Sequence, residues 1–282
     1  MRIALATAAQ YPQLADDDRV LHAELARRRI DATPVVWDSD ADWSQFDTVV
    51  VRSIWDYHLK YDGFVAWLDA LAAAGTRVHN TIDVLRWNAD KKYLVELEQR
   101  GVRITPTRVV ERGSRRLLND VLRETGWQHY VVKPTVSSTG YETWFANAPP
   151  ASTEETRFAE QRTRLDLLVQ EFAPGVQSGE RSFVFIGGEY MHCILKRAAA
   201  NEFRVHIEHG GTLERVNAEQ HEIEWARSVI DASGRHDCTY ARVDAVAADG
   251  GLMLMELELL DPELFFAYNR DATEHFIQRI LQ

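Results

Sequence analysis

Near the C-terminus, Leu252-Met253-Leu254-Met255-Glu256-Leu257-Glu258-Leu259-Leu260 is apolar except for two glutamates at alternate positions. At the two-residue period of a strand, Glu256 and Glu258 share one face. A second strand pattern, Tyr240 to Ala247, precedes it, and Asp249-Gly250-Gly251 between the two is a hairpin turn signal. With those three residues as the loop, Ala248 faces Leu252, Asp244 faces Glu256 and Arg242 faces Glu258; a two-residue turn would break that register. Opposed side chains stand about 4.5–5.5 Å apart at Cβ, where like charges repel. Asp244 beside Glu256 makes sense with a cation between them, and hard carboxylate oxygens suit Mg²⁺ completed by phosphate oxygens. An edge strand with solvated glutamates is the plain alternative.

The rest of the chain narrows what such a hairpin can serve. A length of 282 residues, 45% hydrophobic and 27% charged, describes an ordinary soluble globular protein of one large or two to three small domains. Lys and Arg number 32 against 43 Asp and Glu, a net charge of -11, which excludes general binding to nucleic acid or an acidic membrane. No apolar run is long enough to span a bilayer. The two cysteines, Cys193 and Cys238, lack metal-ligand spacing and fit a reducing cytoplasm. Met1 to Ala9 is short and weakly apolar, and an amphipathic helix follows, so it reads as a first buried strand rather than a signal peptide.

Residues 1–80 alternate strand and helix: strand Ile3 to Ala8, a polar loop in which Asp16-Asp17-Asp18 cap a helix from Arg19 to Arg29, strands Ala32 to Trp37 and Thr48 to Arg52, a helix Asp62 to Ala74 closed by Gly75, and strand Arg77 to Asn80. That rhythm implies a small parallel sheet, whose ligands bind beyond the carboxyl ends of its strands. Arg52-Ser53-Ile54-Trp55-Asp56-Tyr57 stands there, a polar and aromatic cluster whose Trp55 and Tyr57 are expected to touch ligand. Residues 81–104 connect through a helix from about Asp90 to Arg100. Residues 105–167 read as a compact α+β unit with a helix Arg115 to Glu124 and a strand Tyr130 to Lys133. From 168 to 282 come hairpin Ser182–Phe185/Tyr190–Lys196, a strand Phe203 to Glu208, the acidic hairpin and a final helix Asp271 to Leu281.

No glycine-rich phosphate-loop or dinucleotide fingerprint is present, so charge at element ends must grip any nucleotide. Lys133 ends an apolar strand and precedes Pro134-Thr135-Val136-Ser137-Ser138-Thr139-Gly140, a loop whose amides and hydroxyls can wrap phosphate. Taken alone, Lys133 also reads as a solvated strand end. Lys91 or Lys92 opens a helix where acids are preferred, which suits a nearby anion. Gln170-Glu171-Phe172 leads from a strand into Pro174-Gly175 and can meet an adenine edge; Glu180 can hold ribose hydroxyls. Lys196, Arg197 and Arg204 lie at strand ends, arginine offering a planar fork for phosphate or carboxylate. His206 and His209 do not build a metal site.

In this order, the residues resemble the ATP-grasp superfamily from about residue 80 onward. Arg52-Ser53-x-Trp55-Asp56-Tyr57, Phe203-Arg204-Val205 and Glu256-Leu257-Glu258-x-x-Asp261-Pro262-x-Leu264-Phe265 are similar to the group that includes the O-ureido-serine cyclo-ligase of cycloserine biosynthesis. Many superfamily members carry Asn where Glu258 stands, and the cyclo-ligase relatives tend toward Glu-Pro at Asp261-Pro262. The resemblance implies an α/β fold of α+β subdomains: an N-terminal Rossmann-like parallel sheet, a small central lid and a C-terminal antiparallel sheet. It implies ATP between the last two, with Lys91 and Lys133 at its phosphates, loop 137–140 closing over them, Gln170, Glu171 and Phe172 at adenine, Glu180 at ribose and Lys196 also on the cofactor. Mg²⁺, or Mn²⁺ in its place, would sit on Asp244, Glu256 and Glu258, with Arg204 and Arg242 on the transferring phosphoryl group.

The implied function is an ADP-forming ligase that turns a small amino-acid-like carboxylate into an acyl phosphate for an amine or similar nucleophile, with Arg52, Ser53, Trp55, Asp56 and Tyr57 on the substrate side. The partners expected are ATP and that small molecule, in a monomer or homodimer. A metal-dependent phosphohydrolase using Asp244 and Glu256 would not need Lys133 and its loop. A nucleotide-binding protein without catalysis would not need Arg242 beside the carboxylates.

Overall fold

The computed structural model describes residues 1–199 and 210–282. The expected strand Phe203 to Glu208, with Arg204, His206 and His209, lies outside the described residues.

The first unit is a four-stranded parallel sheet. Strands β1 (Arg2–Thr7), β2 (Asp31–Val36), β3 (Thr48–Val51) and β4 (Arg77–His79) lie in the order β2-β1-β3-β4. The central strands β1 and β3 are continuous apolar runs because both faces are covered. Helix α1 (Asp16–Arg27) packs Leu21 and Leu25 on the face holding Ile3, Leu5 and Val50. Helix α2 (Tyr61–Ala74) packs Phe64, Trp67, Leu68 and Leu71 on the face holding Ala4, Ala6, Val49 and Val51. The three aspartates thought to cap α1 form its first turn, and Asp17 and Asp18 are buried.

Two short helices, α3 (Ile82–Asn88) and α4 (Tyr93–Gln99), connect to the second sheet; the sequence suggested only the later one. That sheet is antiparallel, in the order β5-β8-β6-β7, from β5 (Thr107–Val110), β6 (His129–Pro134), β7 (Trp144–Asn147) and β8 (Leu167–Glu171). Helices α5 (Leu118–Thr125) and α6 (Ser152–Arg164) cover one face through Leu118, Val121, Leu122 and Phe158.

The third sheet is antiparallel, in the order β11-β10-β9-β12-β13, from β9 (Glu180–Ile186), β10 (Glu189–Arg197), β11 (Thr212–Val216), β12 (Tyr240–Ala248) and β13 (Gly251–Glu258). Helix α7 (Gln220–Ser233) packs on one face with α4, and α8 (Arg270–Ile280) on the other. The second core is shared: Ile3 and Leu5 of the first sheet belong with Val184 and Ile186 of the third and with Phe276 and Ile277 of α8. Strand β7, β11, α6 and α7 had no separate signal in the sequence reading. Connector Pro174–Ser178 lies on β12 so closely that a Cβ at Gly175 would stand 2.1 Å from the Ala247 carbonyl oxygen.

The acidic hairpin differs from expectation at its tip. Ala248 pairs with Gly251, so the turn has two residues, Asp249 and Gly250, with Gly250 at φ +81°. A two-residue turn alone would place Asp244 opposite Met255. Instead a β-bulge lies between the Ala245–Leu254 and Asp244–Glu256 pairs, and Met255 is the extra residue. Below the bulge Asp244 faces Glu256 and Arg242 faces Glu258.

Candidate active site

Between the second and third sheets lies a cavity of about 190 Å³ whose walls bring together Lys91, Lys133, Lys196, Arg242, Glu180, Asp244, Glu256 and Glu258. Each of these comes from a strand, except Lys91, which sits in the turn before α4. Lys91 is held there by its amide, which donates to the Thr135 carbonyl at 2.8 Å, and by its ammonium, which donates to the Ser137 carbonyl at 2.6 Å. Its neighbour Lys92 turns away to Asp166, at 2.5 Å. Of the adjacent pair, Lys91 therefore lines the cavity.

Glu256 lies between two ammoniums, Lys133 at 2.9 Å and Lys91 at 3.8 Å. Burial alone would raise its pKa, but these cations outweigh burial and hold the carboxyl down at about 2. Asp244 accepts from Arg242 at 2.9 Å, from Lys196 at 3.2 Å and from the Ser182 hydroxyl at 2.5 Å. Again burial opposes ionisation and the Arg242 and Lys196 charges win, keeping Asp244 well below the usual carboxylate range. Arg242 also donates to Glu258 and, at 3.0 Å, to the Glu263 carbonyl. Because Arg242 is shared, burial prevails at Glu258, and with Asp244 and Glu256 close by its carboxyl is pushed up to about 7. Lys196 completes the network on Glu180 at 2.5 Å.

The donor set was tested against a divalent cation. Glu256 and Glu258, with side chains 25% and 26% exposed, face the cavity with hard oxygens and fit two ligand positions, the remainder being the usual share of phosphates and water. Asp244 is 3% exposed and both of its oxygens are occupied by Arg242, Lys196 and Ser182. Among the described residues, no three or more acidic, histidine or cysteine side chains are arranged to hold a metal as they stand. Asp244 would have to exchange a partner to become a third ligand.

Ser137, Ser138, Thr139 and Gly140 form one wall, as do Gln170, Glu171 and Phe172. The Ser137 hydroxyl is spent on the Pro134 carbonyl, Gln170 on the Thr107 hydroxyl, and the Glu171 and Phe172 amides on the Pro106 and His129 carbonyls, so the open members are Ser138 and Thr139. Tyr57 lines this cavity, and Trp55 lines a second one that adjoins it.

Three residues expected at the substrate lie elsewhere. Arg52 is 1% exposed, bound to Asp18 at 2.6 Å and to the Pro262 carbonyl at 2.7 Å, and surrounded by the rings of Tyr240, Phe266 and Phe276. Ser53 bonds Asp18, and Asp56 accepts from Trp37 Nε1 at 2.8 Å and from Lys60. None of the three lines either cavity. They fasten the end of β3 to α1, to the 261–263 segment and to the Trp37 indole.

The sequence reading missed Asn88, Tyr93 and Asp261. Asn88 donates to the Leu257 carbonyl and accepts from the Leu259 amide, both at 2.7 Å, and the Tyr93 hydroxyl accepts from the Leu257 amide at 3.1 Å. Asp261 lines both cavities. A lone Asn or Tyr in a helical stretch carries no sequence signal; Asp261, three residues past Glu258, did carry one in its Asp-Pro pair.

Comparison with known proteins places this geometry. Residues 3–80 match the family described as D-cycloserine synthetase DcsG, N-terminal domain, and residues 94–264 match prokaryotic glutathione synthetase, ATP-grasp domain. The cycloserine biosynthesis protein DcsG of Streptomyces lavendulae is 30% identical over 259 residues, covering 87% of this chain and 86% of the relative. The crystal structure of D-cycloserine synthetase DcsG superposes with a TM-score of 0.90 at 27% identity, covering 99% of this chain and 98% of that one. The ATP complex of D-alanine–D-alanine ligase from Bacillus anthracis shares the fold, with a TM-score of 0.72 at 18% identity over 100% of this chain and 96% of that one. The second match alone spans more than half of the chain, and the chain belongs to the ATP-grasp family, as an ATP-dependent ligase.

Proposed function

We propose that the enzyme activates the carboxylate of a small amino-acid-like molecule as an acyl phosphate, forming ADP, and that a nitrogen or similar nucleophile of the same molecule then closes a ring. A carboxylate oxygen attacks the γ-phosphorus as the bond to ADP breaks; the nucleophile attacks the acyl carbon, loses its proton, and inorganic phosphate leaves. The observation that carries this reading is Glu256 held between Lys133 and Lys91, with Arg242 and Lys196 behind it on Asp244. A triphosphate would bring the negative charge that Lys133 and Lys91 can meet, and Glu256 and Glu258 are the residues that would hold a divalent cation. Bound there, such a cation would supply charge neutralisation at the phosphates. The protein's work is then positioning and electrostatics, as phosphoryl transfer requires. Ser138 and Thr139 would close over the phosphates, the backbone after Glu171 would meet adenine and Glu180 the ribose. Ring closure is supported by likeness to the cycloserine protein. Two buried, unpaired thiols, Cys193 and Cys238, suit the cytoplasm.

The test is ADP release with Mg²⁺ across amino acids and short peptides, with product mass separating ring closure from joining. Stimulation by an acid is expected, and Glu256→Gln should lower it by about 100-fold or more. ADP release indifferent to every candidate overturns the ligase mechanism, and AMP with pyrophosphate overturns the acyl phosphate.

A further inference from the structure

We propose that Asp261 receives the ammonium group of the carboxylate substrate, so that the enzyme acts on zwitterionic amino acids and discriminates against the same acids without the amino group. This deepens, and rests on, the reading of the site as a carboxylate-activating ligase.

The second cavity meets the first along Ser138, Thr139, Lys196, Arg242, Glu258 and Asp261. Its far wall adds the carboxylates of Asp16, Asp17 and Glu263. Most of this acidity has work within the protein. Glu258 is bound to Arg242, Asp16 to Arg19, and Asp17 accepts the amides of Leu264 and Ala267. Asp261 differs: the residue is 9% exposed, and its Oδ2 is buried with no hydrogen-bond partner among the described residues. Burial, and after it the charge of Glu258, push the Asp261 carboxyl well above its usual range, and a cation brought against it is what would hold it ionised.

The backbone around Asp261 is held to serve such a group. Three successive carbonyls each accept one fixed side-chain donor: Asp261 from Trp55 at 3.0 Å, Pro262 from Arg52 at 2.7 Å and Glu263 from Arg242 at 3.0 Å. The carboxylate of Asp261 is therefore presented from a pinned segment, as recognition of a small rigid ligand requires. Arg242, anchored two residues away, is the planar cation suited to the substrate's carboxyl end. An α-amino acid carries its carboxylate and ammonium on neighbouring atoms, so one molecule can meet both residues. The competing occupant is a water on that oxygen; Arg52 Nη1 is also without a partner among the described residues.

The experiment compares binding by calorimetry of D- and L-serine, D- and L-alanine, and their desamino partners 3-hydroxypropionate and propionate, on wild type, Asp261→Asn and Asp261→Glu, each checked for melting temperature. ADP release is followed in parallel with Mg-ATP. At least one amino acid should bind about 100-fold more tightly than its desamino partner. Asp261→Asn should erase that ratio while leaving the KM for ATP unchanged, and Asp261→Glu should restore part of it. No amino acid binding better than its desamino partner, or a preference untouched in Asp261→Asn, overturns the proposal, the latter being the water's signature. Asp261-dependent binding of ethanolamine, with 3-hydroxypropionate accepted as readily as serine, also overturns it by moving the ammonium to a separate acceptor. ADP release that no acid stimulates overturns instead the ligase reading, because the binding comparison stands without turnover.

Discussion

Single charges in this protein are set by which partner outweighs burial. Lys133 and Lys91 keep Glu256 ionised, and either lysine is also the natural seat of a phosphate oxygen. Lys133→Ala should raise the KM for ATP by about 10- to 100-fold, the worth of a charge-assisted hydrogen bond, in steady-state assays at fixed Mg²⁺. Asp17 is the opposite case. Burial first, then Asp18 and Glu263, push its carboxyl up to about 7 from 3.8. The folded state then holds a proton that the unfolded chain releases, so Asp17's contribution to stability is present at low pH and is lost as pH rises from about 4 through 7. Asp17→Asn has no proton to lose; its urea midpoint should fall less than that of wild type between pH 5 and pH 8, by an amount worth roughly a few kcal/mol. An equal slope in both proteins would show Asp17 to be ionised throughout.

At the scale of elements, a bulge reconciles a short turn with a functional register. The residue pairs Asp244–Glu256 and Arg242–Glu258 were legible from alternation and charge alone, but the route to them was not. The alternation does not show whether the odd residue belongs to the loop or to the strand, and both solutions end in the same pairs. Arg52, Ser53 and Asp56 misled for a related reason: a polar run after a buried strand marks the ligand end of a parallel sheet, yet here those side chains are consumed in packing that end against α1 and residues 261–263. Helix α6 went unseen because its apolar residues are sparse beside many charged ones, whereas α7 does carry an apolar face, Ile223, Ala226, Val229 and Ile230, that the sequence reading did not separate. The outer edge of β13 is fastened by one backbone bridge at Leu254 and beyond it by side chains, most directly by Asn88 on Leu257 and Leu259. Asn88→Ala leaves a buried amide and carbonyl unpaired and should cost about 1–3 kcal/mol, read from chemical denaturation. An unchanged midpoint would mean that water replaces the clamp.

On the scale of the whole molecule there are three sheets, but β8 (Leu167–Glu171), which the sequence reading put at the start of a unit running from 168 to 282, belongs to the second sheet, and the cores are shared between sheets. Ile3 and Leu5 are packed with Val184, Ile186, Phe276 and Ile277, more than 170 residues away in the chain. The first and third sheets should therefore unfold in one transition, with tryptophan fluorescence and far-ultraviolet circular dichroism giving the same midpoint; Trp37, Trp43 and Trp67 lie in the first unit and report on it. Two separated midpoints would show that the shared core is not cooperative. The long-range sharing was not legible because periodicity reveals which face of an element is apolar, not which distant element covers it.

Strand β13 lies at the end of its sheet, and ends of sheets are where proteins recruit one another into aggregates. Here the connector closes that route. Leu254 exchanges backbone bonds with Arg103 and Thr105, Leu257 and Leu259 bond Tyr93 and Asn88, and Asn80 takes the Leu259 carbonyl. The bulge at Met255 shifts the outward amides from 254 to 257 and 259, where those side chains meet them. The arrangement that aims two glutamates into the cavity thus also keeps a strongly apolar strand from templating a neighbouring chain, and lesions in the connector would reach the cell first as lost solubility.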